Sequence, residues 1–166
     1  MASAGAVPAL TNTRPAVAKL IAAARMRNGA KWFYWIAALS LINSAVVIFG
    51  GNLHFVVGLG ITEVVDALAK KAGAAGTVLD LVINGFVAGI FFLFGNFAGK
   101  AQKWAFVVGM AVYTLDAFLL FAAKDILSVA FHAYVLFAIY RGLAAANQLS
   151  SMEPTGAITS APITPL

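Results

Sequence analysis

Asp116 and His132 stand inside two apolar stretches, YTLDAFLLFAA and ILSVAFHAY, that are otherwise free of charge. A carboxylate beside an imidazole orients the ring and raises its basicity, which suits general-base work, a proton relay or an ion site. A polar pocket for a small ligand or lipid head group needs the same groups. The quieter alternative is an interhelical hydrogen-bonded clasp, with His132 donating to Asp116.

The spacing around these residues predicts that they meet. Lys124 and Asp125 separate the two stretches as a tight turn. Asp116 precedes Lys124 by eight residues and His132 follows Asp125 by seven. Those intervals are about 12 Å and about 10 Å of helix, so the pair reaches the same depth on antiparallel neighbours. Asn84 lies seven residues into the preceding helical stretch, and Asn43 seven residues before Gly50 in the first. Four helices are thus expected to bring Asp116, His132, Asn84 and Asn43 to one plane. Tyr113 and Ser128 share the helix faces of Asp116 and His132, and Asp80 falls one turn before Asn84.

Secondary candidates lie outside this layer. Glu63 and Asp66, one turn apart, could form a carboxylate pair, although Lys70 and Lys71 nearby suit a solvated face better. His54 is the second of two histidines. A haem clamped by His54 and His132, or a zinc ion on His132, Asp116 and a third ligand, is the weaker reading. His54 sits some 10 Å from the depth of His132, at the end of an apolar run. No GxSxG, HExxH, P-loop or dinucleotide fingerprint is present, and the absence of cysteine excludes thiolate chemistry. Catalysis therefore ranks below binding.

The elements that must position these groups follow from composition. Of 166 residues, 62% are hydrophobic and 10% charged, against about 25% charged in soluble domains. This predicts an all-α integral membrane protein. Four spans are expected at about 31–50, 77–98, 104–123 and 126–146, in an antiparallel bundle. Residues 54–71 are ambiguous. Thr62, Glu63, Asp66 and Lys70 fall on one helical face and Ile61, Val64, Val65 and Leu68 on the other, after the break offered by Gly58 and Gly60. An interfacial or re-entrant helix is expected there, with a fifth span as the alternative.

Residues 1–30 form a basic segment with a short surface helix from Ala16 to about Gly29, and 147–166 a disordered Pro/Ser/Thr-rich tail. Bases flanking the first span predict a cytoplasmic N-terminus in a plasma (inner) membrane. The net charge of +5 is accordingly read as topology and anionic-lipid contact, with no nucleic-acid module present. Gly85/Gly89 and Gly95/Gly99 form GxxxG patterns, expected to support close packing within the bundle. The functional expectation is a non-enzymatic membrane subunit or small-ligand or lipid-binding protein, alone, as a homo-oligomer or in a larger membrane complex. The rival is an intramembrane enzyme or proton-coupled carrier built on Asp116 and His132.

Overall fold

The computed structural model describes residues 13–48, 59–62, 64–65 and 73–152. Four long helices carry the chain: α1 (Thr13–Ile48), α2 (Gly73–Gly99), α3 (Lys103–Ala122) and α4 (Ile126–Met152). Residues 60–62, 64 and 65 add a short helical segment between α1 and α2. No strand occurs among the described residues. Val78–Gly99, α3 and α4 are each long and apolar enough to cross a membrane. Large apolar side chains such as Val82, Phe86, Leu115, Phe118, Leu127 and Phe137 point outward from them and are more than half exposed. An outer surface of that kind is stable against lipid chains and costly against water.

Residue contacts fix the helix directions. Ser44 meets Asn84 while Tyr34 packs on Gly95, so α1 and α2 run antiparallel. Gly29 meets Gly142 while Trp32 meets Phe131, which makes α4 antiparallel to α1. Asp116 pairs with His132 and Phe106 approaches Gly142, which sets α3 against α4. The end of α1 and the start of α2 therefore lie at the same end of the bundle.

Two turns close on backbone hydrogen bonds. Gln102 N–H donates to Phe97 O (3.1 Å) and Asp125 N–H to Leu120 O (3.1 Å). Both bonds span five residues and satisfy carbonyls at the ends of α2 and α3. Ala101 and Lys124 take the left-handed conformation these closures need, with φ of 61° and 63°.

Three expectations are corrected. The helix expected to end near Gly29 does not end: α1 is continuous over 36 residues, about 54 Å at ~1.5 Å rise per residue. Gly29 lies against the backbone of Gly142, where an added Cβ would sit 2.5 Å from the Gly142 Cα. The missing side chain serves close helix packing rather than a break. Helix α4 continues to Met152, past the expected boundary at 146, and Lys103 Nζ holds Ser150 Oγ at 2.7 Å; the remaining tail, 153–166, lies outside the described residues. Finally, Gly85, Gly89 and Gly99 contact nothing that a Cβ would disturb. Of the GxxxG glycines only Gly95 packs closely, against the Tyr34 ring.

The core has two halves. Toward the α2–α3 turn it is aromatic: the Phe33 ring lies 6.4, 5.9 and 6.1 Å from those of Phe91, Phe94 and Phe106, and Gly109 leaves it room. Toward the Lys124–Asp125 turn the core is polar. Ser40, Asn43, Ser44, Thr62, Asp80, Asn84, Asp116, Ser128 and His132 are all buried there.

Candidate functional site

Asp116 is the centre of the polar half. It projects inward from α3 on the same face as Gly109 and Tyr113, all three buried. Its Oδ2 accepts hydrogen bonds from the Gly60 backbone N–H (2.8 Å) and lies 3.0 Å from His132 Nε2. Its Oδ1 accepts from the Ile61 N–H at 2.9 Å. Gly60 and Ile61 open the helical segment, whose first N–H groups have no partner within their own helix. The carboxylate supplies one, and its negative charge suits the positive end of the peptide dipoles. Thr62 donates both its hydroxyl (2.7 Å) and its N–H (3.1 Å) to Leu59 O, which closes the first turn.

Glycine at position 60 is a requirement of space. A Cβ there would lie 2.9 Å from Leu120 Cγ and 3.4 Å from the Asp116 carbonyl oxygen. Only a bare backbone lets the segment come close enough to α3 to donate to the carboxylate.

His132 is fully buried and both ring nitrogens are engaged. Nδ1 lies 2.8 Å from Ser128 O. A carbonyl only accepts, so Nδ1 carries hydrogen and donates. One further proton then has to lie between Nε2 and Asp116 Oδ2. The pair is imidazolium and carboxylate, or neutral imidazole and carboxylic acid. Tyr113 stacks on the imidazole with ring centroids 4.2 Å apart and planes at 14°, and this fixes the ring plane. Tyr113, expected on the face of Asp116, thus joins the cluster through its ring.

Ser128 connects this pair to the Lys124–Asp125 turn. Its hydroxyl donates to Asp125 Oδ2 and its N–H to Asp125 Oδ1 (3.1 Å). Asp125 is thereby the N-cap of α4. Its carboxyl is held below the usual carboxylate range, first by the Ser128 hydroxyl and then by the Ser128 N–H.

The α1 and α2 side chains form a second cluster. Asn84 Nδ2 donates to Ser44 Oγ (2.7 Å) and to Asp80 Oδ1 (3.0 Å). Asn43 is buried but its Oδ1 finds no hydrogen-bond partner among the described residues, and neither does Ser40 Oγ. Of the four residues expected in one layer, Asp116 and His132 pair directly, Asn84 binds Ser44 instead, and Asn43 makes no side-chain hydrogen bond through its oxygen. Glu63, Asp66 and His54 lie outside the described residues.

An apolar groove of about 470 Å³ opens between α2 and α3, lined by Leu59, Ile61, Phe91, Leu115 and Phe118 among others, with Asp116 at its floor. Both carboxylate oxygens are already turned to Gly60, Ile61 and His132. The donor set does not suit a metal ion: each nitrogen of His132 is engaged, and no group of three His, Cys, Asp or Glu side chains gathers among the described residues.

Sequence reasoning missed the principal partners of Asp116, the amides of Gly60 and Ile61. Backbone donors are not a residue type, and Gly58-Leu-Gly60 before an amphipathic run was their one signal. No family model, curated protein or solved structure matches the chain, so its function has to be read from the chemistry of this cluster.

Proposed function

We propose that the protein is a non-enzymatic membrane component, a subunit of a larger assembly or a small-ligand or lipid-binding protein. In this reading it has four spans, the fourth being the C-terminal half of α1. The observation that carries it is the engagement of Asp116 from within the bundle. A carboxylate that accepts two backbone N–H groups and faces an imidazole has three of its about four lone-pair sites occupied by the chain itself. Such a group holds a re-entrant segment in the bundle and fixes helix register, which is a structural task. The antiparallel course of α1 and α2 supports four spans over five.

Native electrophoresis of mildly solubilised host membranes tests the proposal. Migration in a large complex is the outcome expected of a subunit. Migration as a monomer or small homo-oligomer removes the subunit form and directs attention to a ligand in the groove beside Asp116.

The second reading, a proton-coupled carrier, draws on the proton shared between His132 and Asp116. It requires a proton flux in reconstituted vesicles that Asp116→Asn abolishes while the bundle stays folded. Vesicles containing the wild-type protein with no flux under an imposed gradient would rule it out.

A further inference from the structure

We propose that the groove between the basic N-terminal half of α1 and the Arg141 side of α4 binds the phosphate head group of an anionic lipid. It lies at the end of the bundle opposite the Lys124–Asp125 turn, and the proposal rests on the membrane reading of the chain but not on the Asp116 cluster.

Arg25, Asn28 and Trp32 recur at i, i+3 and i+7 on α1, so they share a face; Tyr134 and Arg141 recur at i and i+7 on α4. The two rows line one cavity of about 240 Å³ with Gly29 between them. The contact of Gly29 with Gly142 brings the two backbones as close as helices can pack. The two arginine stems consequently rise on either side of a single opening.

Electrostatics favour an anion there. Among the described residues neither guanidinium has an ion-pair partner or a hydrogen bond, and none that lines the cavity is acidic. Arg14, Lys19, Arg25, Arg27, Lys31, Lys100, Lys103 and Arg141 all belong to this end of the bundle, whereas Asp80, Asp116 and Asp125 belong to the other. Two guanidinium forks with the Asn28 amide between them match the several acceptor oxygens of a phosphate.

The flanks identify a lipid rather than a free phosphate. Trp32 and Tyr134 meet edge to face at 5.5 Å beside the arginines, the amphipathic ring pair typical of head-group depth. The Arg141 guanidinium lies 5.9 Å over the Phe137 ring, which is 59% exposed on the outer face of α4. Apolar surface therefore begins at the mouth of the groove, where acyl chains attached to a bound head group would run.

The test uses the full chain in mixed micelles of phosphatidylglycerol and phosphatidylcholine, with bound lipid read by native mass spectrometry. Wild type is expected to retain phosphatidylglycerol preferentially. R25Q/R141Q should lower that preference by about thirtyfold, the loss of two charge-assisted hydrogen bonds to one phosphate. K100Q/K103Q removes equal charge from the same end and should change it by less than about twofold. Equal loss in both variants would mean diffuse surface charge and overturn the proposal, as would unchanged retention in R25Q/R141Q. A third arm adds millimolar inorganic phosphate: persistence of the bound lipid is expected, and its displacement would overturn the lipid assignment.

Discussion

The Gly60 amide donates to Asp116 Oδ2 at 2.8 Å across 56 residues of sequence. With the Ile61 bond beside it, this contact anchors a helix start to a side chain of α3 inside the bundle. A carboxylate suits the place because every neighbour is a donor.

Asp116→Asn tests that arrangement. An amide offers one acceptor atom and one donor atom. Whichever way it is turned, its NH₂ faces either the Gly60 or the Ile61 N–H. One buried donor is left unsatisfied, at about 1–3 kcal/mol. Asp116→Ala removes the partner of His132 as well and should cost about 3–5 kcal/mol. Unfolding in mixed SDS micelles should rank wild type above Asn and Asn above Ala; an Asn variant equal to wild type would refute the cap.

The glycines separate into two classes. Gly29→Ala and Gly142→Ala push a Cβ to within 2.5 and 2.8 Å of the opposing Cα. Overpacking of this kind costs about 1–3 kcal/mol. Gly85→Ala and Gly89→Ala meet nothing within 4 Å among the described residues and should gain up to about 1 kcal/mol of helix propensity. The same unfolding assay distinguishes them, and a destabilised Gly85→Ala would place an unseen contact on that face.

Asp125 caps α4 and its carboxyl is held low by Ser128. A lowered folded value stabilises the fold above the unfolded carboxylate pKa near 3.8. That contribution declines as pH falls from there through the folded value. Asp125→Ala should therefore cost about 1 kcal/mol at neutral pH, and the ionic part of the difference should vanish in strong acid. Stability curves at pH 7 and below pH 3 provide the check; a gap that widened in acid would have the wrong sign.

Lys124 occupies the left-handed position that closes α3, with φ of 63°. An L-residue there bears a cost of about 1–2 kcal/mol that glycine avoids. Lys124→Gly is expected to stabilise the chain by about 1 kcal/mol, net of the greater entropy of the unfolded glycine. A loss of stability would assign the lysine side chain a role the backbone does not reveal.

Tyr113→Phe keeps the ring stacked on His132 and should lie within about 0.5 kcal/mol of wild type. Tyr113→Leu keeps bulk without the stacking face and should lose about 0.5–1.5 kcal/mol. Equal behaviour of the two variants would remove the stack from the account.

The pairing of Asp116 with His132 was legible because a helix has a fixed rise and the Lys124–Asp125 turn is short, so residue counting gives depth. The same counting placed Asn84 and Asn43 level with them but could not choose their partners. Depth is one coordinate, and Ser44 competes for Asn84 from the adjoining helix. The Gly29 error has a similar origin. A glycine at the edge of an apolar run signals a helix end or a close crossing equally, and only Gly142 on α4 decides between them.

Residue order and composition were enough to read the solvent this chain faces, the helical class, the positions of the long apolar helices and the burial of Asp116. Each follows from local composition, helix rise and the cost of burying charge. Tertiary structure alone decided that the first partners of Asp116 are backbone amides of a docked segment, that α1 is continuous, and that Arg25 and Arg141 flank one opening. Those relationships join residues between about 50 and 120 positions apart in the sequence. They depend on how close two backbones come, a distance set by packing and not by residue type.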